Sequence, residues 1–183
     1  MSGTITDHSQ RGYSLSMRIL HWVTALAMIS VIISGLLIGH YSKQFGFLYD
    51  YHRPMGFILL FLVAARIIAR LFSKPPSPLP KSISPIQKAI AHLTHWLLYA
   101  ALIIQPFLGW YATNAWGVKK IPFFFGFHLP QIAEKDRELG NYLLGIHHDL
   151  GLIIAALVAM HIGAALYHHF ILKDNVLMRM IKT

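Results

Sequence analysis

Three stretches of the chain contain no Asp, Glu, Lys or Arg: Ile19 to Ser42, Ala89 to Val118 and Leu150 to Leu172. Each is long enough to cross a hydrocarbon core of about 30 Å, which takes roughly 20 helical residues. A fourth apolar run, Pro54 to Phe72, is interrupted only by Arg66 and Arg70. Both lie in its last two turns, where long side chains snorkel to the headgroups, so this run is a span as well. The expected spans cover about 17–41, 52–72, 89–113 and 147–171, roughly half of the 183 residues. No room remains for a separate soluble catalytic domain. The composition agrees, with 55% hydrophobic and 13% charged residues and a mean hydropathy of +0.51, where soluble domains run near 45–50% and about 25%.

The first span has the apolar core of a signal peptide but is too long for one, and no small-residue cleavage site follows it, so it reads as a retained helix. Lys74 to Pro85 (KPPSPLPKSISP) is a proline-rich stretch that cannot continue a helix, and a linker over 73–88 separates two helical hairpins. Pro106 is expected to kink the third helix, with Gln105 beside it to satisfy a freed carbonyl. The long loop over 114–146 holds Gln131 to Gly145, whose apolar spacing predicts a helix along the membrane surface before the fourth span.

Orientation follows from the loop charges. The N-terminus, the second loop and the C-terminus carry ten basic residues against Asp7 and Asp174, a net +8. The first and third loops carry six basic against five acidic residues, a net +1. The positive-inside rule puts both termini in the cytoplasm. The formal charge of +9 is thereby a matter of membrane topology, and a nucleic-acid partner is excluded.

With no cysteine among the 183 residues, thiolate-held clusters, cysteine-ligated haem and covalent haem attachment are excluded. Twelve histidines against seven acidic residues make imidazole the available ligand. His147 and His161 on the fourth span are 14 residues apart, nearly four whole turns, so they share one face at two depths about 21 Å apart. His52, at the start of the second span, matches the outer depth, and His21, a turn inside the first, matches the inner one. Two histidines from different helices at one level supply both axial nitrogens of a b haem. The pattern predicts an all-α, up-down four-helix membrane bundle, a single domain over residues 1–183, with two b haems between its helices. With both axial positions filled by protein, electron transfer is indicated over oxygenase or oxidase chemistry. Zinc, the rival metal, normally takes four ligands, and Asp149 is the one carboxylate near either level. A metal transporter would need acidic groups inside the membrane, and the uncharged stretches have none.

Substitutes exist at each level. His148 neighbours His147 and His40 lies near the outer depth; His168 lies seven residues beyond His161, and His95 on the third span lies near the inner depth. His8, His92, His128 and His169 read as interfacial or solvated. Arg66 and Arg70 read as cytoplasmic anchors that could also neutralise haem propionates. Trp22, Tyr41, Trp110, Tyr111 and Trp116 read as interfacial belts, and Phe123 to Phe125 as membrane-surface contacts.

Tyr13-Ser14 followed by His21-Trp22, the His52 to Arg70 segment followed by KPPSPLP, the run AHLTHWLLY from Ala91, and HHFILKDNVLMRM from His168 resemble the bacterial cytochrome b-561 family over about residues 13 to 181. These are small four-helix, di-haem inner-membrane proteins related to the cytochrome subunits of membrane hydrogenases and formate dehydrogenases. The resemblance implies haem ligation by His21, His52, His147 and His161. Some members resemble superoxide oxidases, which take electrons from superoxide at the periplasmic face and reduce ubiquinone. That activity is the expectation here, with a cytochrome subunit relaying electrons between a partner dehydrogenase or hydrogenase and the quinone pool as the alternative. No G-x-G-x-x-G fingerprint for a nucleotide cofactor occurs. Lys43, Arg53, Lys119 and Lys120 on the outer side could steer an anion, and a quinone site is expected inside, near Arg66, Arg70, His95, His168 and Lys173.

Overall fold

The structure, a computed structural model, describes residues 12–41, 44–74, 76–78 and 83–182. Four long helices dominate: α1 (Leu15–Tyr41), α2 (Phe47–Phe72), α3 (Pro85–Trp116) and α4 (Arg137–Phe170). All four are long and apolar enough to cross a membrane. They are inside-out relative to a soluble bundle: α1 buries only Met17, Thr24 and Ser34, while Leu26 and Ile33 face outward. The lipid solvates those outward faces, and small or polar residues let the backbones approach. Thr24 and Ser34 return their hydroxyl protons to Leu20 and Val31 on their own helix, at 2.6 and 2.9 Å.

Local chemistry sets the helix ends, and several lie away from the expected positions. Pro85 opens α3 as its first helical residue. The Ser84 hydroxyl accepts from the Gln87 amide and the Gln87 side chain accepts from the Ser84 amide, a capping box that starts the helix inside the expected linker. α2 starts at Phe47, five residues before the expected span, so His52 and Pro54 lie inside the helix. No surface helix precedes α4. Residues 131–136 are irregular, Asp136 caps the Leu139 amide at 3.0 Å, and residues 137–145 form the first turns of α4 itself. That segment's apolar spacing was real, but it belonged to α4, which begins ten residues before the expected span.

α3 ends at Gly117, whose φ of 125° a side chain would resist. Buried Asn114 then ties down the outer loop: its Nδ2 donates to the Val118 carbonyl at 2.7 Å and its Oδ1 accepts from the Ile132 amide at 3.0 Å. Between these points a small antiparallel ladder pairs β1 (Ile121–Pro122) with β2 (His128–Leu129) around a turn, a feature the sequence reading lacked.

Packing runs α1 on α2, α2 on α3 and α3 on α4, while α1 and α4 scarcely touch. The bundle therefore closes only loosely along the α1/α4 seam. Among the described residues, a buried apolar cluster joins Leu98 and Ala101 of α3 to Ile154 and Val158 of α4. Ile154 lies halfway between His147 and His161, so this cluster separates the two histidine levels.

Candidate functional site

The helices bring the four expected histidines together in two pairs. At the outer level the rings of His52 on α2 and His147 on α4 stand 6.0 Å apart between centroids. At the inner level His21 on α1 and His161 on α4 stand 6.3 Å apart. An imidazole nitrogen sits about 2 Å from a first-row metal and its ring centre roughly 1 Å beyond, so two imidazoles on opposite sides of one ion are about 6 Å apart. Both pairs meet that separation.

The outer pair lines a cavity of about 530 Å³ that is otherwise walled mainly by apolar groups, among them Leu102, Ile154 and Trp110. The His52 Nδ1 lies 3.1 Å from the Val31 carbonyl oxygen and 3.1 Å from the Ser34 hydroxyl. Donation of the Nδ1 proton to that carbonyl fixes the tautomer whose Nε2 carries the free lone pair, as a metal ligand requires. The His147 Nδ1 is buried without a partner, while its own main-chain carbonyl accepts from the Gln105 side chain at 2.6 Å. Gln105 was expected to satisfy a carbonyl freed on its own helix by Pro106; it reaches across to α4 instead. An apolar cavity flanked by two neutral imidazoles is the donor set and the shape that a flat, largely apolar macrocycle fits.

At the inner level two further groups crowd the pair. His95 on α3 approaches His161 to 5.2 Å between ring centroids, and its Nδ1 lies 2.6 Å from the Ala91 carbonyl of its own helix. Arg66 turns into the bundle, donating to His21 Nδ1 at 3.1 Å and lying over the Tyr99 ring. Arg70 is exposed, as a membrane anchor would be. Among the described residues, no three His, Asp or Glu converge as a zinc site would need.

The alternates fare differently. His168 forms an ion pair with Asp174 at 2.5 Å, which occupies its Nδ1 at the helix end. His148 is exposed at the rim of the outer cavity, and His40 is exposed with its Nδ1 near the Leu36 carbonyl. His8 and Lys43 lie outside the described residues.

Several of the aromatic residues make contacts of their own. The indole N–H groups of Trp22 and Trp110 donate to the carbonyls of Met180 and Pro130 at 2.9 and 3.0 Å. Phe123 packs on Phe57 of α2, which in turn packs on Trp110, so this part of the loop roofs the bundle. The sequence reading also missed Ser34 and Val31, which hold His52. A serine or valine in an apolar helix gives no sign that it faces a ligand.

A helical membrane bundle that aligns paired histidines at two depths is the architecture of a b-type membrane cytochrome. Residues 12–183 match the family described as prokaryotic cytochrome b561, and the chain belongs to that family. It is 29% identical over 172 residues to "Cytochrome b561 homolog 2" of Escherichia coli (strain K12), covering 92% of this chain and 90% of that one. It is 30% identical to "Probable superoxide oxidase CybB" of Yersinia pestis, over 88% of this chain and 91% of that one. "Cytochrome b561 homolog 1" of Escherichia coli (strain K12) is 30% identical, over 92% and 96%. The chain is therefore a membrane electron-transfer protein, and its family implies binding of b-type haem.

Proposed function

We propose that this protein holds two b haems, one between His52 and His147 and one between His21 and His161, and uses them to pass electrons from superoxide at its outer face to ubiquinone at its inner face. The spacing of the two histidine pairs, 6.0 and 6.3 Å, carries the haem assignment. Similarity to a relative named as a probable superoxide oxidase supports the donor.

Bound in this way, haem would supply one-electron chemistry with no iron position left open to oxygen. The stoichiometry suits such a relay. Two superoxide ions each give up one electron and leave as O₂; ubiquinone takes both electrons and two protons. The chain's own part is to hold and insulate. Four imidazoles fix the two sites, and the Leu98, Ala101, Ile154 and Val158 cluster keeps water out between them. On the outer side Arg53, Lys119 and Lys120 attract the anion. Inside, Arg66 has only donors, so its bond to His21 Nδ1 needs that nitrogen unprotonated. Were His21 to hold haem through Nε2, its Nδ1 would carry the proton, and the Arg66 guanidinium would be free to neutralise an acidic group. Arg70, His95, His168 and Lys173 frame the inner end, where quinone and its protons are handled.

The test is an alkaline-pyridine haem assay on the purified protein, followed by superoxide generation in the presence of a ubiquinone analogue. Two haem b per chain and rapid haem reduction without any second protein are expected. One haem or none removes the di-haem reading. Two haems without reduction by superoxide would point to a cytochrome subunit that needs a partner dehydrogenase or hydrogenase.

A further inference from the structure

Two glycines stand in matching places beside the outer histidines. A Cβ built on Gly35 of α1 would lie 3.0 Å from Cε1 of His52, and one built on Gly109 of α3 would lie 2.7 Å from Cε1 and 3.0 Å from Nδ1 of His147. Gly39, Gly56, Gly145 and Gly163, also in the helices, have nothing within 4 Å of such a Cβ. In a helix the carbonyl of residue i−4 accepts from the amide of residue i, so the carbonyls that belong to Gly35 and Gly109 are those of Val31 and Gln105. These are the carbonyls the two imidazoles face. His52 Nδ1 lies 3.1 Å from the Val31 oxygen, and the Gln105 main-chain carbonyl faces His147. Each hairpin thus repeats one device: a histidine on its second helix crosses a bare glycine on its first, and in the first hairpin it also reaches the carbonyl one turn back.

We propose that Gly35 and Gly109 are positioning residues of the outer haem site. By lacking Cβ they let the imidazoles of His52 and His147 lie on the neighbouring main chain, with Nδ1 turned to that carbonyl and Nε2 left for iron. The proposal rests on the di-haem reading above. Its consequence is electronic as well as steric, because a hydrogen bond at Nδ1 raises the basicity of the ligating nitrogen and favours ferric iron. The two contacts are unequal. His52 has a formed bond, whereas the buried His147 Nδ1 has no partner at normal geometry, so a small ring movement on loading completes it.

Gly109→Ala, Gly35→Ala and Gly163→Ala test this, with each haem followed by potentiometric titration and by its low-spin spectrum. The outer haem is the one that His52→Ala removes. Alanine favours a helix more than glycine does, so a role confined to helix stability predicts unchanged spectra or firmer folding. The expected result for Gly109→Ala is a positive shift of the outer haem's potential with a changed low-spin spectrum, or loss of that haem alone, and a smaller shift for Gly35→Ala. Gly163→Ala should match the wild type. If Gly109→Ala does not accumulate, Gly35→Ala decides by the same measures, since there the ring must give only a few tenths of an ångström. Spectra and potentials identical to wild type for both haems would overturn the proposal, as would equal disturbance of the inner haem. A wild-type protein without two haems would instead overturn the reading beneath it.

Discussion

His21 and His95 both reach toward His161, from α1 and from α3, and distance separates their roles. At 6.3 Å between ring centroids, His21 and His161 stand at the separation of two imidazoles on opposite sides of one ion; at 5.2 Å, His95 and His161 are closer than that. Substitution should therefore divide them. His21→Ala is expected to lower the haem content from two per chain to about one, whereas His95→Ala should keep both haems and change only the inner one's spectrum or quinone reduction. Haem-to-protein ratios by the alkaline-pyridine method decide it, and a His95→Ala protein with one haem would reverse the assignment. For the outer pair, His147→Ala should remove the other haem and His148→Ala neither, since the His148 side chain stands at the cavity rim.

The α3/α4 hairpin is the best fastened element, and its fastening lies at the outer end. A Cβ on Gly140 would fall 2.4 Å from the Trp116 amide nitrogen, Asp136 donates its amide to the Ala115 carbonyl at 2.9 Å, and Arg137 lies over the Trp116 ring. Asn114 completes the joint with its two bonds to the loop. Asn114→Ala should destabilise this hairpin by about 1–3 kcal/mol for each buried group left unpaired. Asn114→Asp keeps the acceptor for Ile132 but sets a buried carboxylate oxygen against the Val118 carbonyl, and should cost at least as much as alanine. Thermal unfolding of the detergent-solubilised protein measures both, and an Asn114→Ala melting curve equal to wild type would refute the role. Span number was legible because a lipid core tolerates so few charges that their absence over Ala89 to Val118 is itself a signal. Span ends were not. Arg137, Glu138 and Asn141 are polar because they stand beyond the membrane, yet the helix runs through them. The histidine pairs were legible through a helical period shared by His147 and His161. The glycines beneath the outer pair were not, because Gly39 and Gly56 look the same in the sequence and touch nothing.

The described residues nearest the two chain ends meet at one end of the bundle. The Tyr13 amide donates to the Arg179 carbonyl at 3.1 Å, Arg18 donates to the Ile181 carbonyl at 2.9 Å, and the buried Arg179 guanidinium donates to the carbonyl of Ser77 in the linker. The N-terminal entry, the α2/α3 linker and the C-terminal segment thus form one cap beneath the inner histidines. Reversing the bundle in the membrane would carry all three across together, and with them the whole net +8 of that side. Short loops rich in Lys and Arg resist translocation, so the cap is expected in the cytoplasm and the 117–136 loop outside. Alkaline phosphatase fused after Lys182 should therefore be inactive and a fluorescent protein at the same point bright. Phosphatase inserted next to exposed Lys119 or Lys120 should be active. The opposite pattern would put the His52 and His147 level on the cytoplasmic side, where no external superoxide could meet it, and would overturn the proposed direction of electron flow along with the orientation.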